Sequence, residues 1–494
     1  MASLGDAGRT MNGAQPMRIL FHVTLKTMLR HFESVLLALA DRGHVVRIAS
    51  HRSPEIPPPA ALVAHPRIAF ITSPGRRGDE WSTPIHELRA LRDYMRFLDR
   101  RFKPATKLRA RALRTAVKAV THDERAHLVH RCPKCDARLV DDDVGQMLRG
   151  FGKRGVKNLA KLLALMERTI PSATVLEDFL KAEQPDLVLV SPLVNLGSYQ
   201  ADFVKSAKAL HIPVVYPVFS WDNLSTKGLI HVQPDGVIVW NERQRTEAVE
   251  MHGVPLDRVA VTGAPRFDEF FAMSPGTTRE QFCAIHGLDA SQPIVVYLCS
   301  SEFVAGGEVD FVRRWIDEVR RAPSLRSCNI LIRPHPRQQK PWKAFEPPDP
   351  RVAVALPRAM NADPTLLDTV HHSAAVVGLN TSAQLEAGIL GRPVLTILAP
   401  EFEEGQQGTL HFSYLLKEHG GFVDVAPDLE VHRRQLAAAV AGDYDRQAIR
   451  SFIEQFIRPN GIDRPATPFM VRAIEEFAQS AYRDQPTAVT QTHS

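Results

Sequence analysis

Residues 18–49 read RILFHVTLKTMLRHFESVLLALADRGHVVRIA, and this stretch decides the fold class. Arg18–Val23 is a short apolar run of the kind that forms a buried strand. Residues 32–41 (FESVLLALAD) read as a helix, closed by Arg42-Gly43 as a glycine C-cap. Residues 44–49 (HVVRIA) read as the next strand. Strand, helix and strand in that order imply a right-handed parallel unit.

The same pattern resumes further along. Strands are predicted at 186–190, 213–216, 236–240 and 259–263, with helices at 199–210 and Glu242–His252. A turn-rich segment around 265–293 separates this series from a second one. The second series has strands at Ile294–Leu298, Asn329–Arg333, 352–355, 374–378 and Val394–Ile397, each followed by a helix-like stretch. The fold class is therefore α/β, with two doubly wound parallel-sheet lobes facing across a cleft, where such sheets bind ligands. A last helix is predicted from about residue 468 to 482, with Thr467 as N-cap and Pro468 at the first helical position.

With 494 residues, 44% of them apolar and 23% charged, the chain is an ordinary globular protein able to bury a core in each lobe. That composition excludes disorder throughout, collagen-like repeats and a disulfide scaffold. No apolar run approaches the roughly 18–20 residues of a membrane span, and the polar first sixteen residues carry no secretory signal. Five cysteines, Cys132, Cys135, Cys283, Cys299 and Cys328, suit a reducing compartment. A cytoplasmic location is expected.

The net charge of +6 is concentrated locally. Ten basic residues lie between Arg92 and Lys118, opposed only by Asp93 and Asp99. Leu91, Met95, Leu98 and Phe102 recur there at helical spacing. A basic amphipathic helix follows, kinked near Pro104, and such helices lie on anionic membrane surfaces. The competing reading is a solvated face on a helix pair. No recognition module accompanies the charge, so nucleic acid is not expected.

Two motifs carry chemistry. Arg333-Pro334-His335-Pro336 follows a strand directly, which places a guanidinium and an imidazole at a strand's carboxyl end, both able to donate to phosphate oxygens. Residues 378–388, GLNTSAQLEAG, join a strand to a helix. Asn380, Thr381 and Ser382 would stand at that helix's N-terminus, where backbone N–H groups favour an anion. Glu386, one turn beyond Ser382, is suited to accept hydrogen bonds from a pair of ribose hydroxyls. N-capping alone explains Thr381 or Ser382 but not Glu386 at that offset.

RPHP together with GLNTSAQLEAGILGRPVLTI (378–397) resembles the donor-binding half of the two-Rossmann-lobe (GT-B) glycosyltransferases. Kin of this pattern include nucleotide-sugar 2-epimerases and polyol-phosphate transferases. The opening 18–50 is similar to the superfamily's first β-loop-α-β, and Val261-Thr262-Gly263-Ala264-Pro265-Arg266-Phe267-Asp268 to its V-x-G-x-P segment. The resemblance spans about 17–470 in outline, the basic insertion excepted. It implies that Arg333 and His335 contact donor phosphates, that the turn at Asn380, Thr381 and Ser382 holds the diphosphate, and that Glu386 binds ribose. Gly263 and Arg266 are taken as substrate-binding positions.

The expected organisation is a disordered 1–16, an acceptor lobe over 17–270 with a basic helical insertion at 85–175, and a donor-binding lobe over 271–465. A C-terminal helix at 466–483 and a disordered tail at 484–494 complete it. Facing the cleft from the first lobe, FSWDNLSTKG (219–228) offers Trp221 to stack on a sugar or base, with Asp222 and Asn223 to accept hydroxyl hydrogens. The alternative is a loop anchored by the Trp. For a general base the candidates are His31, where many such enzymes place a His although Arg30 stands in place of the usual Gly, then Asp222 and His22. Asp141-Asp142-Asp143 and the half-knuckle Cys132-Pro133-Lys134-Cys135, with His127 and His130 nearby, do not complete a metal site. No G-x-G-x-x-G follows a strand and no P-loop occurs.

These readings converge on a glycosyltransferase that moves a sugar from a nucleotide-sugar donor to a surface glycan or lipid-linked acceptor, peripheral to the inner membrane face if the basic stretch binds it. No cofactor or metal is required where Arg333, His335 and the turn at Thr381 stabilise the leaving diphosphate. Rival readings are transfer of a polyol phosphate from a CDP donor, nucleotide-sugar 2-epimerisation, and a non-catalytic nucleotide-sugar-binding protein.

Overall fold

Alternate residues of the first strand, β1 (Arg18–Val23), enter opposite cores. Ile19, Phe21 and Val23 pack with Leu187 and Leu189 on one face, and Leu20 packs with Val188 and Val190 on the other. Both faces are covered, so apolar side chains stand on both rather than alternating with exposed polar ones, and His22 is buried among them. Each such side chain stabilises the lobe by roughly 1.5–3 kcal/mol. The computed structural model describes residues 15–24, 26–51, 57–121, 150–357 and 364–483.

With β1 stand β2 (Val45–Ser50), β3 (Ile68–Thr72), β4 (Leu187–Ser191), β5 (Val214–Pro217), β6 (Gly236–Val239) and β7 (Val259–Val261). They form a parallel sheet ordered β3-β2-β1-β4-β5-β6-β7. The second sheet contains β8 (Ile294–Leu298), β9 (Asn329–Arg333), β10 (Val352–Val354), β11 (Ala375–Val377), β12 (Val394–Ile397) and β13 (Val423–Ala426), in the order β10-β9-β8-β11-β12-β13. Strand order reverses beside β1 in one sheet and beside β8 in the other. The crevices outside the carboxyl ends of β1, β8, β9 and β11 are thus the ligand positions of doubly wound sheets. Two parallel sheets of this kind are the two Rossmann-like lobes of a GT-B fold. β3 and β13, which the sequence pattern did not reveal, are edge strands with half-exposed residues.

The chain crosses between lobes after β7 and returns at its end. Gly263 has φ +92°, and a Cβ there would meet Ile457 O at 2.8 Å. Only glycine lets the returning segment pack this closely. Asp268 accepts from Ala466 N at 2.9 Å and Thr467 N at 2.8 Å, so it starts the last helix, Thr467–Arg483. Met470, Val471 and Ile474 of that helix join the core of the first lobe. The C-terminal helix therefore completes the N-terminal lobe.

The basic insertion is not one kinked helix. It is a hairpin of helices Ser82–Arg96 and Thr106–Thr121, turned at Arg100–Phe102, with Gly152–Thr169 against it. Of the apolar stripe, Met95 and Phe102, with Tyr94 and Phe97, are buried in its own core, while Leu91 and Leu98 pack against that core partly buried. Most of it is thus unavailable to insert into lipid. Arg89 is buried between Glu167 and Asp202, donating to both at 2.8 Å. Arg96 donates to the carbonyls of Leu224, Lys227 and Gly228. Arg100, Arg101, Lys103 and Lys118 stay exposed. No helix among the described residues is long and apolar enough to cross a membrane. Residues 1–14 of the expected N-terminal segment, the tail 484–494, Cys132, Cys135 and Asp141–Asp143 lie outside the described residues.

Candidate active site between the two lobes

Three strand ends and one short turn converge on a cavity of about 680 Å³ between the lobes, a size typical of small-molecule sites. From the second lobe come Arg333 at the end of β9 with His335 and Arg337 beyond it, Cys299, Ser301, Glu302 and Phe303 after β8, and Thr381, Ser382 and Glu386 around the start of the Ala383–Ile389 helix. The first lobe supplies Arg30 and His31 from the turn after β1, with Glu33 opening the next helix. Arg266 and Glu269 come from the crossing segment.

Four guanidinium groups, of Arg30, Arg266, Arg333 and Arg337, line one cavity. Burial, and then Arg266 and Arg337, pull Arg30 down to about 10. Cations held this close repel one another, and an anion among them relieves that repulsion. Arg333 is buried and donates to Thr369 Oγ1 at 3.3 Å. His335 Nδ1 accepts from the Arg337 N–H at 3.2 Å. Burial first, then Arg337 and Arg30, lower its pKa. The neutral ring therefore carries its proton on Nε2, as a donor.

Glu386 is 8% exposed. Its Oε1 faces an Arg266 nitrogen at 3.4 Å, and its Oε2 has no partner among the described residues. Burial raises its pKa, with Arg266 and Arg30 opposing. A buried carboxylate with one unused acceptor is costly unless a ligand hydroxyl supplies the hydrogen. Thr381 and Ser382 line the same cavity. Asn380 does not. Its amide donates to Gly405 O at 2.8 Å and to Thr409 Oγ1 at 3.4 Å, which ties the turn to the following loop.

The base candidates separate. His31 lines the cavity, and Arg30 Nε donates to its Nε2 at 3.3 Å. Its Nδ1 has no partner among the described residues. Burial, then Arg266 and Arg30, hold its pKa well below the ordinary value, so it stands neutral. His22 is placed elsewhere, fully buried on β1, stacked 3.9 Å from Phe203 and bonded to Gln200 at 2.9 Å. Burial lowers it to about 3. Asp222 also lies off the cavity, accepting from Ser220 Oγ at 2.6 Å and Thr226 Oγ1 at 3.1 Å. Burial would raise its carboxyl, but Lys227, His411 and those hydroxyls outweigh it and hold it low.

Trp221 offers no stacking face. It is 3% exposed, its indole N–H donates to Ser382 Oγ at 3.2 Å, and its ring stands edge-on to His411 at 4.6 Å. Asn223 is buried beside it, and Gly263 serves the chain crossing. The 219–228 loop is thus a packed contact between lobes, as the anchoring alternative had it. Arg266 does reach the cavity. Sequence reasoning missed Arg337, two residues past His335, and gave Arg30 no binding role; it also missed Glu33 and Glu269. Only their neighbours' motifs hinted at them.

No family model matches the chain, and no curated protein matches it in sequence. Solved structures do match. UDP-GlcNAc 2-epimerase from Neisseria meningitidis, bound to UDP-GlcNAc, is 12% identical with TM-score 0.50, over 93% of this chain and 100% of that one. A glycosyltransferase from Rickettsia africae is 10% identical with TM-score 0.49, over 95% and 100%. Anabaena Alr3699/HepE in complex with UDP is 13% identical with TM-score 0.47, over 94% and 100%. At such identities the likeness to the epimerase is one of fold, and it agrees with the two-lobed GT-B arrangement.

Proposed function

We propose that the protein is a nucleotide-sugar enzyme, and specifically a glycosyltransferase that moves the sugar to a glycan or lipid-linked acceptor. The observation that carries this reading is the unpartnered Oε2 of buried Glu386, sharing one cavity with four guanidinium groups and His335. A nucleoside diphosphate answers both features, with hydroxyls for the carboxylate and phosphates for the cations. Arg333, His335 and the turn at Thr381 and Ser382 would hold the diphosphate. An acceptor hydroxyl beside His31 would lose its proton to Nε2 of the imidazole, freed as Arg30 turns from it to the diphosphate, while the hydroxyl oxygen bonds to the anomeric carbon. The nucleoside diphosphate would leave with the bonding electron pair into the arginine cluster. Asp222, His22 and Trp221 have no part in this scheme.

A second reading has its own observation. Glu33 and Glu269 both line the cavity, and burial together with Glu269 raises the Glu33 carboxyl. A carboxyl that holds its proton more tightly, with a second carboxylate beside it, suits proton removal and return at a sugar carbon, as 2-epimerisation requires. Incubation with a panel of UDP-, CDP-, GDP- and TDP-sugars, read by chromatography, separates the two. Slow release of nucleoside diphosphate supports transfer, a new epimer supports epimerisation, and binding without turnover leaves a sensor. No binding of any nucleotide sugar refutes the reading.

A further inference from the structure

A second cavity, of about 1000 Å³, lies in the helical layer of the first lobe. Eight cationic side chains line it against two carboxylates, Asp99 and Glu250. Both carboxylates face the same group, Arg101, at 3.1 and 3.9 Å. Arg100, Lys103, Arg109, Lys153 and Lys157 make no salt bridge to a described residue. Arg96 also lines the cavity, only 9% exposed, and its Nε has no partner among the described residues. So much positive charge around one concavity is stable only in water or against an anion.

The floor of this cavity is apolar. Leu98, Val156, Ala160, Leu229 and Met251 line it, each half-buried and so reachable. The rings of Phe97 and Phe102 are buried and turned edge-on to each other at 4.9 Å, leaving no face for a nucleic-acid base to stack on. The wall helix Gly152–Thr169 is amphipathic in an unusual sense. Its inner side gives the cavity Lys153, Val156 and Lys157, while Leu162, Leu165 and Met166 stand about half exposed on its other side. Apolar side chains among lysines on an exposed helix suit an interface with lipid.

We propose that this cavity binds a phosphorylated amphiphile. Its phosphate lies among Arg100, Lys103, Arg109, Lys153 and Lys157, and the first carbons of its chain lie on Leu98, Val156 and Met251. The helix Thr106–Thr121 connects this cavity with the inter-lobe one, since Lys107 donates to Phe303 O at 3.4 Å and Arg111 lies over the Phe303 ring at 5.5 Å. Phe303 lines the inter-lobe cavity. The proposal stands whether or not that cavity takes a nucleotide sugar.

Calorimetry of the full chain with dihexanoyl phosphatidic acid, below its micelle concentration, tests it against dihexanoyl phosphatidylcholine and inorganic phosphate. Phosphatidic acid should bind at least about tenfold more tightly than either, and more weakly as salt rises. Replacing Arg109, Lys153 and Lys157 together by Ser should weaken it about tenfold or more. These side chains are exposed or half-buried, so an unchanged melting temperature is expected and is measured alongside. Val156→Asp should abolish the preference for lipid over phosphate. Phosphate binding as tightly as the lipid would reduce the site to an anion site and overturn the amphiphile. Equal affinity for phosphatidylcholine, wild-type affinity in the triple variant, or no binding would each overturn the proposal.

Discussion

Arg266, on the segment that joins the lobes, stands 3.4 Å from Oε1 of Glu386 in the Ala383–Ile389 helix of the second lobe. Its guanidinium also lies over the Phe267 ring at 4.6 Å. The crossing segment thereby holds the one buried carboxylate of the cavity in place while leaving its second oxygen for a ligand.

Glu386→Gln and His335→Ala should each weaken nucleotide binding by about 1.5–3 kcal/mol, the cost of a charge-assisted hydrogen bond. Titration calorimetry with UDP checks this, and retained affinity in both variants would remove the diphosphate from this cavity. Because burial raises the Glu386 pKa, its acceptor is lost as pH falls through a value above the ordinary carboxylate range. Wild-type affinity should decline on that acidic side, and Glu386→Gln should remove that part of the pH dependence.

His31 is depressed by burial and by the Arg266 and Arg30 cations. A diphosphate beside those cations offsets them, so the His31 pKa, followed by NMR of its ring, should rise when UDP is added. His31→Ala should lower turnover by about 10²–10⁴-fold with donor affinity kept. Asp222→Asn should change turnover by less than about tenfold and instead cost about 1–3 kcal/mol of stability, since its carboxylate serves Ser220 and Thr226. The reverse pattern would hand the base role to Asp222.

Arg89 is 1% exposed and neutralises Glu167 and Asp202. Arg89→Met would remove the cation that bonds both buried carboxylates, leaving Glu167 to Lys205 at 3.5 Å and Asp202 to Arg77 at 3.6 Å, and should destabilise the protein by about 3–5 kcal/mol. Urea unfolding measures it. A loss below about 1 kcal/mol would mean the helical layer is not anchored by this triad.

Glu247 of the first lobe accepts from Tyr414 Oη of the second at 2.6 Å. Burial lifts its carboxyl from 4.5 to about 7. A folded-state pKa above the unfolded one contributes stability that is full below the ordinary value and is lost as pH rises through about 7. Melting temperature should therefore fall between about pH 5 and pH 8, and Glu247→Gln should flatten that fall. An identical slope in the variant would place the titration elsewhere.

Most strands of both sheets were legible as short, largely apolar runs, because a parallel strand covered on both faces places apolar side chains on each. IVVYL of β8 and the ILI centre of NILIR in β9 show this, and their predicted bounds match the structure. IAFIT of β3 and VDVA of β13, both half-exposed edge strands, escaped notice, whereas the half-exposed edge strands β7 and β10 were read from the sequence. Arg333, His335, Thr381, Ser382 and Glu386 were legible for a related reason. A doubly wound sheet brings the residues just after its central strands to one crevice, whatever the rest of the chain does.

Local spacing holds no information about what the other lobe presents. FSWDNLSTKG could face solvent or pack, and the second lobe decides it by placing Ser382 and His411 against the Trp221 ring. The basic stretch from Arg92 is amphipathic on any reading, yet most of its apolar side is buried in a folded-back hairpin, and Arg96 meets three carbonyls. Arg30, Arg337 and Glu33 entered the site only because two lobes and a crossing segment close around one volume. Periodicity fixes which side of an element is apolar, since that follows from backbone geometry along the chain. What a polar side chain finally touches is set by segments hundreds of residues away, and only the packed structure brings them within bonding distance.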